Sequence, residues 1–336
     1  MSNVIAADAN DVANRLHKYD LSGSTILLTG ASGLIGTHIL SVLGQMELLG
    51  RGPEAIFAIS RTNFPMFADP LPKCTKTLEI DLTDKSQRLS LPAVDFVMHS
   101  AGYGQPHKFL ANPLATIDLN TRVTSELIEH LKPDGRFLFV STSEIYSGLS
   151  GALFLETQVG TTNTDHLRAP YIEGKRCGEA ICLAVLGAHS QCVIARVALA
   201  YGPGVFSGDD RVLYSFVRQA LMSGSIKVAD AGLANRTYCY ISDTVEVLLK
   251  LLFERDATGI FNVGGVSRIS IRDLALLVGQ LSGSDVFFDE SNTGAIGAPS
   301  DVQLDLNKVR SLFGIRDYIS INEGVERTLT WWRNSL

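Results

Sequence analysis

The segment Thr25–Gly36 reads TILLTGASGLIG, a short apolar run followed by three glycines spaced three residues apart. An amphipathic stretch continues to about Leu49, so the order predicts a buried strand, a tight turn and a helix. The first glycine permits the turn, the second leaves room for a pyrophosphate, and the third lets the helix pack closely on the strand. A glycine-rich turn without a ligand is the alternative. Phosphate contacts are expected at the start of the helix, from Gly30, Ser32, Gly33, Leu34, Ile35 and Gly36.

The composition of the 336-residue chain is that of a globular protein with a large core, with 46% hydrophobic and 19% charged residues. A net charge of -6 and a pI near 5.7 argue against a surface for nucleic acid or anionic membranes. The five cysteines lack the paired spacing of a metal site, so no metal is expected. No basic segment with an apolar run marks a secretory signal, and no apolar run matches a membrane span. We therefore expect a cytoplasmic protein.

Strand-like and helix-like segments alternate after the glycine turn, which indicates a doubly wound α/β fold with a parallel sheet. The later strands are predicted to begin near Ala55, Thr77, Val94, Gly135 and Cys192. The pattern loosens beyond about residue 199. We therefore predict a dinucleotide-binding Rossmann domain of residues 1–199, to which 240–265 return. Residues 200–239 and 266–336 would form a smaller substrate-binding lobe.

The second strand ends at Ser60 and Arg61, where a dinucleotide fold contacts the adenosine ribose. An acidic residue there binds a 2′-hydroxyl, whereas an arginine can accept a 2′-phosphate. Arg61 therefore favours NADP, with a solvated loop arginine as the alternative. Further cofactor contacts are expected from the ends of later strands and from a helix predicted over 112–131, at Asp81, Leu82, Ser100, Ala101 and Asn120.

The fifth predicted strand delivers Thr142, Ser143 and Glu144 at its carboxyl end, where ligands bind in parallel sheets. The next predicted helix carries Tyr171 and Lys175, four residues apart on one face. A tyrosine with the ordinary pKa near 10 is a poor base at neutral pH, but a nearby ammonium favours the phenolate. Tyr171 could then take a hydroxyl proton while a nicotinamide takes the hydride. Thr142 would hydrogen-bond the same substrate oxygen.

These motifs make the chain resemble the extended short-chain dehydrogenase/reductase family of nucleotide-sugar enzymes almost end to end. The matching segments are Thr29–Gly36, Asp81-Leu82, Asn120, Thr142-Ser143-Glu144, Tyr171-x-x-x-Lys175, Arg196, Tyr201-Gly202-Pro203 and Arg236–Asp243. The segments around Thr142 and Tyr171 look most like those of the UDP-glucuronate decarboxylases. The resemblance implies a tightly bound NAD or NADP, a nucleotide sugar, expected to carry UDP, that is oxidised transiently at C4, and a homodimer. Arg211 and Arg236 would face the diphosphate or carboxylate of that sugar.

Three positions depart from the family pattern. Ser60-Arg61 stands where the decarboxylases have an acidic residue, and Leu199 stands where they have an asparagine that contacts substrate. Ser143 stands where dTDP-glucose dehydratases have aspartate. A 4,6-dehydratase and a 4-epimerase therefore remain alternatives to the decarboxylase. A nicotinamide-sensing regulator is a further alternative, although retention of the tyrosine and lysine favours an enzyme.

Overall fold

The computed structural model describes residues 3–61, 67–88, 90–151, 153–185, 191–206, 208–292, 302–315 and 317–335. The strands in these residues are β1 (Thr25–Thr29), β2 (Ala55–Ser60), β3 (Thr75–Glu79), β4 (Val94–His99), β5 (Leu131–Thr142), β6 (Gln191–Val197), β7 (Leu199–Tyr201), β8 (Ser225–Val228), β9 (Asn235–Tyr240), β10 (Gly259–Val263), β11 (Ser267–Ser270) and β12 (Asp285–Phe288). The helices are α1 (Val4–Arg15), α2 (Leu34–Leu48), α3 (Lys85–Arg88), α4 (Pro106–Ala111), α5 (Pro113–Asn120), α6 (Arg122–Ile128), α7 (Ala169–Ala184), α8 (Val212–Ser223), α9 (Ile241–Phe253), α10 (Ile271–Ser282), α11 (Asn307–Phe313) and α12 (Ile321–Ser335). A short 3-10 helix, Ser143–Tyr146, follows β5 directly.

Seven of the strands form a parallel sheet in the order β10-β6-β5-β4-β1-β2-β3. The order reverses direction at β1, which pairs with β2 on one side and β4 on the other. Such a reversal opens a crevice beyond the carboxyl ends of the strands, and ligands of doubly wound sheets bind there. The doubly wound parallel fold predicted from the sequence is confirmed.

Helices cover both faces of this sheet, so its central strands are apolar on both sides. On one face α2 and α9 pack over the strands, and Leu28 and Val140 belong to that apolar cluster. On the other face lie α6 and α7, and the neighbouring residues Leu27 and Phe139 belong to the second cluster. Alternate residues of each strand therefore point to opposite layers. This two-sided burial holds the carboxyl ends of β1 and β5 in fixed positions.

Two predicted elements were wrong in extent. The helix predicted over 112–131 is two helices, α5 and α6, because the backbone leaves helical geometry at Thr121 (φ -115°, ψ -82°). There the Thr121 hydroxyl donates a hydrogen bond to the carbonyl of Ile117 at 2.8 Å, a side-chain bond that competes with the helix backbone. The third strand ends at Glu79, so Asp81 and Leu82 lie in the loop beyond it.

Small sheets in the C-terminal third were missed by the sequence analysis. β9 pairs antiparallel with β11 and parallel with β7, and β8 pairs parallel with β12. The first of these sheets continues from the main sheet through Ala198 and brings β9 to the rim of the crevice. Within the described residues, none of the helices has the length and apolar character that a membrane span requires.

Candidate active site

A cavity of about 670 Å³ lies at the carboxyl ends of β1, β4 and β5. It is lined by all the site residues predicted from the sequence except Asn120. The lining includes the glycine turn, the residues after β2, β3 and β4, the end of β5, the start of α7, and the two arginines of the C-terminal third. The residues predicted for cofactor, catalysis and substrate therefore share one continuous space.

Backbone atoms pack so closely around the glycine turn that a side chain would not fit at two of its positions. A Cβ on Gly30, whose φ is +69°, would lie 2.8 Å from the amide nitrogen of Ala101. A Cβ on Gly36 would lie 2.4 Å from the carbonyl oxygen of Gly30. Gly33 occupies the N-cap of α2 without any side-chain cap, so the first N–H groups of this 15-residue helix are left for a ligand. These features fit the pyrophosphate of a dinucleotide.

The floor of the cavity is fixed by hydrogen bonds between β1 and the end of β4. The Thr29 hydroxyl lies 2.8 Å from Nδ1 of His99 and accepts the backbone N–H of Ala101 at 3.1 Å. The Ser100 hydroxyl donates to the carbonyl of Thr29 at 2.6 Å. Burial lowers the pKa of His99 to about 3, so this ring is neutral at physiological pH. Ser100 and Ala101 are thereby held at the surface that a cofactor would contact.

At the adenosine end, Ser60 is buried and Arg61 is exposed. Arg61 donates a hydrogen bond to the hydroxyl of Tyr103 at 2.7 Å, and its guanidinium also lies 5.2 Å from the centroid of that ring. The Asp81 carboxylate accepts the N–H and the hydroxyl of Thr83, at 2.9 and 2.7 Å. Asp81 therefore stabilises the loop after β3. Arg61 remains within the cavity wall beside Tyr103, a residue that the sequence analysis did not single out.

Asn120 lies behind the cavity. It is fully buried, and its side-chain amide donates to the carbonyl of Thr116 at 2.7 Å. A Cβ on Gly174 would lie 3.5 Å from the Cβ of Asn120, so this residue packs where α5 crosses α7. This contact supports α7, the helix that carries Tyr171 and Lys175.

Tyr171 lies close enough to Thr142 that the threonine hydroxyl favours the ionised form of Tyr171 and lowers its pKa. Burial, helped by the charge of Glu144, raises the pKa of Tyr171 to about 12. The ammonium of Lys175 donates to the carbonyl of Val140 at 2.6 Å, and burial lowers the pKa of this lysine to about 7. The structure thus differs from the expectation that Lys175 lowers the pKa of Tyr171, because burial weakens the charged form of each group.

Glu144 is held by Arg168, which the sequence analysis missed. Arg168 binds both carboxylate oxygens, through Nη2 and through Nε at 2.9 Å. Its guanidinium also lies 5.0 Å from the centroid of the Phe109 ring, and that ring stacks on Tyr171 at 4.7 Å with an interplanar angle of 7°. Arg168 precedes Tyr171 by three residues and forms the N-cap of α7. That i, i+3 spacing was the available sequence signal.

The two predicted substrate arginines differ in their surroundings. Arg211 forms a bidentate ion pair with the buried Asp209, at 3.0 Å from Nε and 2.7 Å from Nη2. The Arg236 side chain donates to the carbonyl of Asn235 at 2.6 Å and forms no ion pair with a carboxylate in the described residues. Both line the cavity. Within the described residues, no carboxylate therefore offsets the positive charge of Arg236, so this charge can attract an anionic ligand. The described residues contain no cluster of potential metal ligands.

Comparisons with known proteins identify a family for this chain. The family model described as "NAD dependent epimerase/dehydratase family" matches residues 26–264. UDP-glucuronic acid decarboxylase 6 of Arabidopsis thaliana is 31% identical over 316 residues, covering 93% of this chain and 89% of that protein. UDP-glucuronic acid decarboxylase 1 of the same plant is 30% identical over 319 residues, covering 93% and 70%.

Among solved structures, UDP-glucose 4-epimerase from Thermotoga maritima with UDP-glucose superposes with a TM-score of 0.79 at 21% identity, covering 93% of this chain and 99% of that one. MoeE5 in complex with UDP-glucuronic acid and NAD gives 0.76 at 22% identity, covering 93% and 100%. At these identities the structural likeness shows the fold.

Proposed function

Because the chain belongs to the NAD-dependent epimerase/dehydratase family, we propose that it is a decarboxylase of UDP-glucuronate that works through transient oxidation at C4. The observation that carries this proposal is the shared cavity, in which the glycine turn, Tyr171 and Arg236 meet. A bound NAD(P) supplies the oxidation of C4 and its later reversal.

Tyr171 is proposed as the group that accepts the proton of the C4 hydroxyl. Tyr171 and Thr142 line the same cavity and lie close to each other, which supports a role for both hydroxyls at one substrate oxygen. Burial lowers the pKa of Lys175 to about 7, and its ammonium donates a hydrogen bond to the carbonyl of Val140. A ligand oxygen that accepts a further hydrogen bond from this ammonium would stabilise its charged form. A positioned acid–base group of this kind contributes about 10²–10⁴-fold to the rate.

Loss of CO2 follows from the chemistry of the oxidised sugar. Once C4 is a ketone, the carboxylate on C5 is that of a β-keto acid. The bond from C5 to the carboxylate carbon breaks, and its electron pair passes to the C4 oxygen, where Tyr171 and Thr142 can stabilise the charge. A proton then takes the place of the carboxylate on C5. Arg236 is proposed to hold the anionic sugar nucleotide before this step.

Glu144 is proposed to face the sugar at C5, because it follows Thr142 by two residues and lines the same cavity. A carboxylate there would repel the substrate carboxylate out of the sugar plane and so favour its departure. In a 4,6-dehydratase, the same group would instead remove the C5 proton. The curated relatives favour the first role, since those named above are decarboxylases.

Product analysis tests the proposal. The purified protein is incubated separately with UDP-glucuronate and with neutral hexose nucleotides, and CO2 and the nucleotide products are measured by mass. We expect equal amounts of CO2 and a UDP-pentose from UDP-glucuronate, and almost none from Glu144→Ala. The control is Glu173→Ala, which removes a carboxylate of α7 that pairs with Arg176 and does not line the cavity. A 4-keto-6-deoxy sugar from a neutral hexose nucleotide would instead establish the dehydratase.

We also propose a homodimer, which the resemblance implies, and NADP as the preferred dinucleotide, which Arg61 favours. Light scattering from the eluting protein measures the mass of the assembly, and a monomer would contradict the first proposal. Mass spectrometry under native conditions weighs any dinucleotide that copurifies with the protein. A mass equal to that of NAD rather than NADP would contradict the second.

A further inference from the structure

The proposed reaction, on which this inference rests, needs two negative groups in one small site. Tyr171 must lose a proton to act as a base, while Glu144 must stay charged to act on the sugar. The two groups lie close enough that the charge of Glu144 raises the pKa of Tyr171. Like charges at short range in a buried site oppose each other by an amount that can exceed one pKa unit.

Arg168 is the cation that pairs with Glu144. Its side chain is 10% exposed, and it binds both oxygens of Glu144. The ring of Phe109 contacts its guanidinium and stacks on Tyr171. Glu144 and Tyr171 line the cavity, whereas Arg168 does not. We propose that Arg168 is a positioning residue that balances the charge of Glu144 and so lets a working carboxylate and an ionised Tyr171 share one site.

Other charged groups near Tyr171 do not supply this balance. Lys175 lies one turn further along α7, but its ammonium is turned to the carbonyl of Val140. From the C-terminal side of the cavity, Arg211 is paired with Asp209. From α4 the neighbour is the uncharged ring of Phe109. Lys108 of the same helix and Arg236 also line the cavity, but neither is among the charges that shift the pKa of Tyr171. The charges that bear on Tyr171 are Glu144, which raises its pKa, and Arg168, which lowers it.

The test is the pH dependence of C4 oxidation in a single turnover, followed by the absorbance of the reduced nicotinamide after rapid mixing of holoenzyme with UDP-glucuronate. In the cofactor-free protein the pKa of Tyr171 is about 12. The oxidised nicotinamide ring of the holoenzyme carries a positive charge, which would favour the phenolate and lower this pKa. The rate then rises with pH as Tyr171 loses its proton, which gives the profile an acidic limb. Arg168→Gln should move this limb to higher pH by about one unit, because the phenolate loses a favourable charge. Glu144→Gln should move it to lower pH. The double variant should return it close to the wild-type position.

Arg168→Lys is the matched control, because it keeps the charge and loses the bidentate geometry. Its limb should stay within a few tenths of a unit of the wild type. A merely structural role for Arg168 predicts lower rates at every pH with unmoved limbs in both variants, and that result would overturn the proposal. Equal shifts in the lysine and glutamine variants would overturn it as well.

Two further arrangements keep the test decisive. If Arg168→Gln does not fold, Arg168→Met takes its place as the neutral variant and should show the same upward shift. An unmoved limb in Glu144→Gln would separately contradict the opposition of the two anions. If UDP-glucuronate fails to reduce the cofactor, the decarboxylase assignment fails first. The acidic limb is then measured with a nucleotide sugar that does reduce the cofactor. The decarboxylase assignment and the proposed role of Arg168 can therefore fail independently of each other.

Discussion

The two ends of the cavity differ in the kinds of atoms that form their walls. At the cofactor end, backbone atoms and small residues form the wall, and positions such as Gly30 and Gly36 have no space for a Cβ. At the substrate end, charged side chains are paired with one another, as in Glu144 with Arg168 and Arg211 with Asp209. The cofactor end should therefore respond to changes of volume and the substrate end to changes of charge or of a single hydroxyl.

The largest effect is expected at the substrate end, from Tyr171→Phe. Removal of the hydroxyl should lower turnover by about 10²–10⁴-fold, because the proton acceptor is lost. The dinucleotide content, measured by absorbance after denaturation, should be close to that of the wild type. Tyr19→Phe is the control, since that hydroxyl contacts Glu254 away from the cavity at 3.2 Å. Turnover at the wild-type level in Tyr171→Phe would contradict the enzymatic assignment.

At the cofactor end, Gly36→Ala should damage folding and cofactor binding together. The added Cβ would meet backbone atoms of Gly30 and Ala31 at 2.4 and 2.6 Å, and backbone cannot move aside as a side chain can. We expect a loss of more than about 3 kcal/mol in the free energy of unfolding. Gly104→Ala is the matched variant, because its Cβ would meet nothing within 4 Å. Equal stability of the two variants in urea would show that α2 is not held so tightly.

Lys175 is expected to lower stability at neutral pH, since it is a buried ammonium at the junction of both ends. Its pKa falls from 10.5 to about 7 on folding because of burial. The unfolded chain therefore binds more protons than the folded one between these values, so the wild type gains stability as pH rises from 7 towards 10.5. Lys175→Met should raise the free energy of unfolding of the cofactor-free protein by about 3 kcal/mol at neutral pH. This advantage should shrink at alkaline pH.

Scanning calorimetry at neutral and alkaline pH measures this difference. Lys227→Met, on the exposed side of β8, should change little at either pH. A Lys175→Met protein that unfolds more easily than the wild type at neutral pH would mean that the bond to Val140 outweighs the cost of burial. The variant should be inactive in either case.

The smallest effect is expected from Arg61→Ala at the exposed rim of the cofactor end. If Arg61 binds a 2′-phosphate, the affinity for NADP should fall by on the order of 1.5 kcal/mol and that for NAD should change less. Calorimetric titration of the cofactor-free protein with each dinucleotide gives the comparison. Arg15→Ala is the control, because this exposed arginine pairs with Glu246 and does not line the cavity. An equal loss of affinity for both dinucleotides would mean that Arg61 does not recognise the 2′-phosphate and acts only by holding Tyr103.

The local part of this architecture could be predicted from the sequence, and the part that depends on distant contacts could not. The glycine turn and the Tyr171–Lys175 pair are set by spacing within one strand–turn–helix or one helix, so both were found. Pairing of β9 with β11 joins residues about thirty positions apart and has no local signal. The break at Thr121 depends on one side-chain hydrogen bond that the apolar pattern does not record.

The electrostatics of the site were the hardest feature to predict. From the sequence, Lys175 was the cation expected to act on Tyr171, because the two lie four residues apart on one helix. In the folded chain burial dominates both groups, and the cation that bears on Tyr171 is Arg168. Burial arises from the whole fold, so spacing alone does not give its sign or its size.

Retention of an isotope at C4 tests the central claim most directly, since transient oxidation requires the hydride that leaves C4 to return to C4. UDP-glucuronate carrying deuterium at C4 is converted by the holoenzyme without added dinucleotide, and the product is analysed by mass and by proton NMR. The account predicts release of CO2 and a UDP-pentose that keeps its deuterium at C4. Decarboxylation with deuterium lost to solvent, or the absence of any CO2, would contradict it.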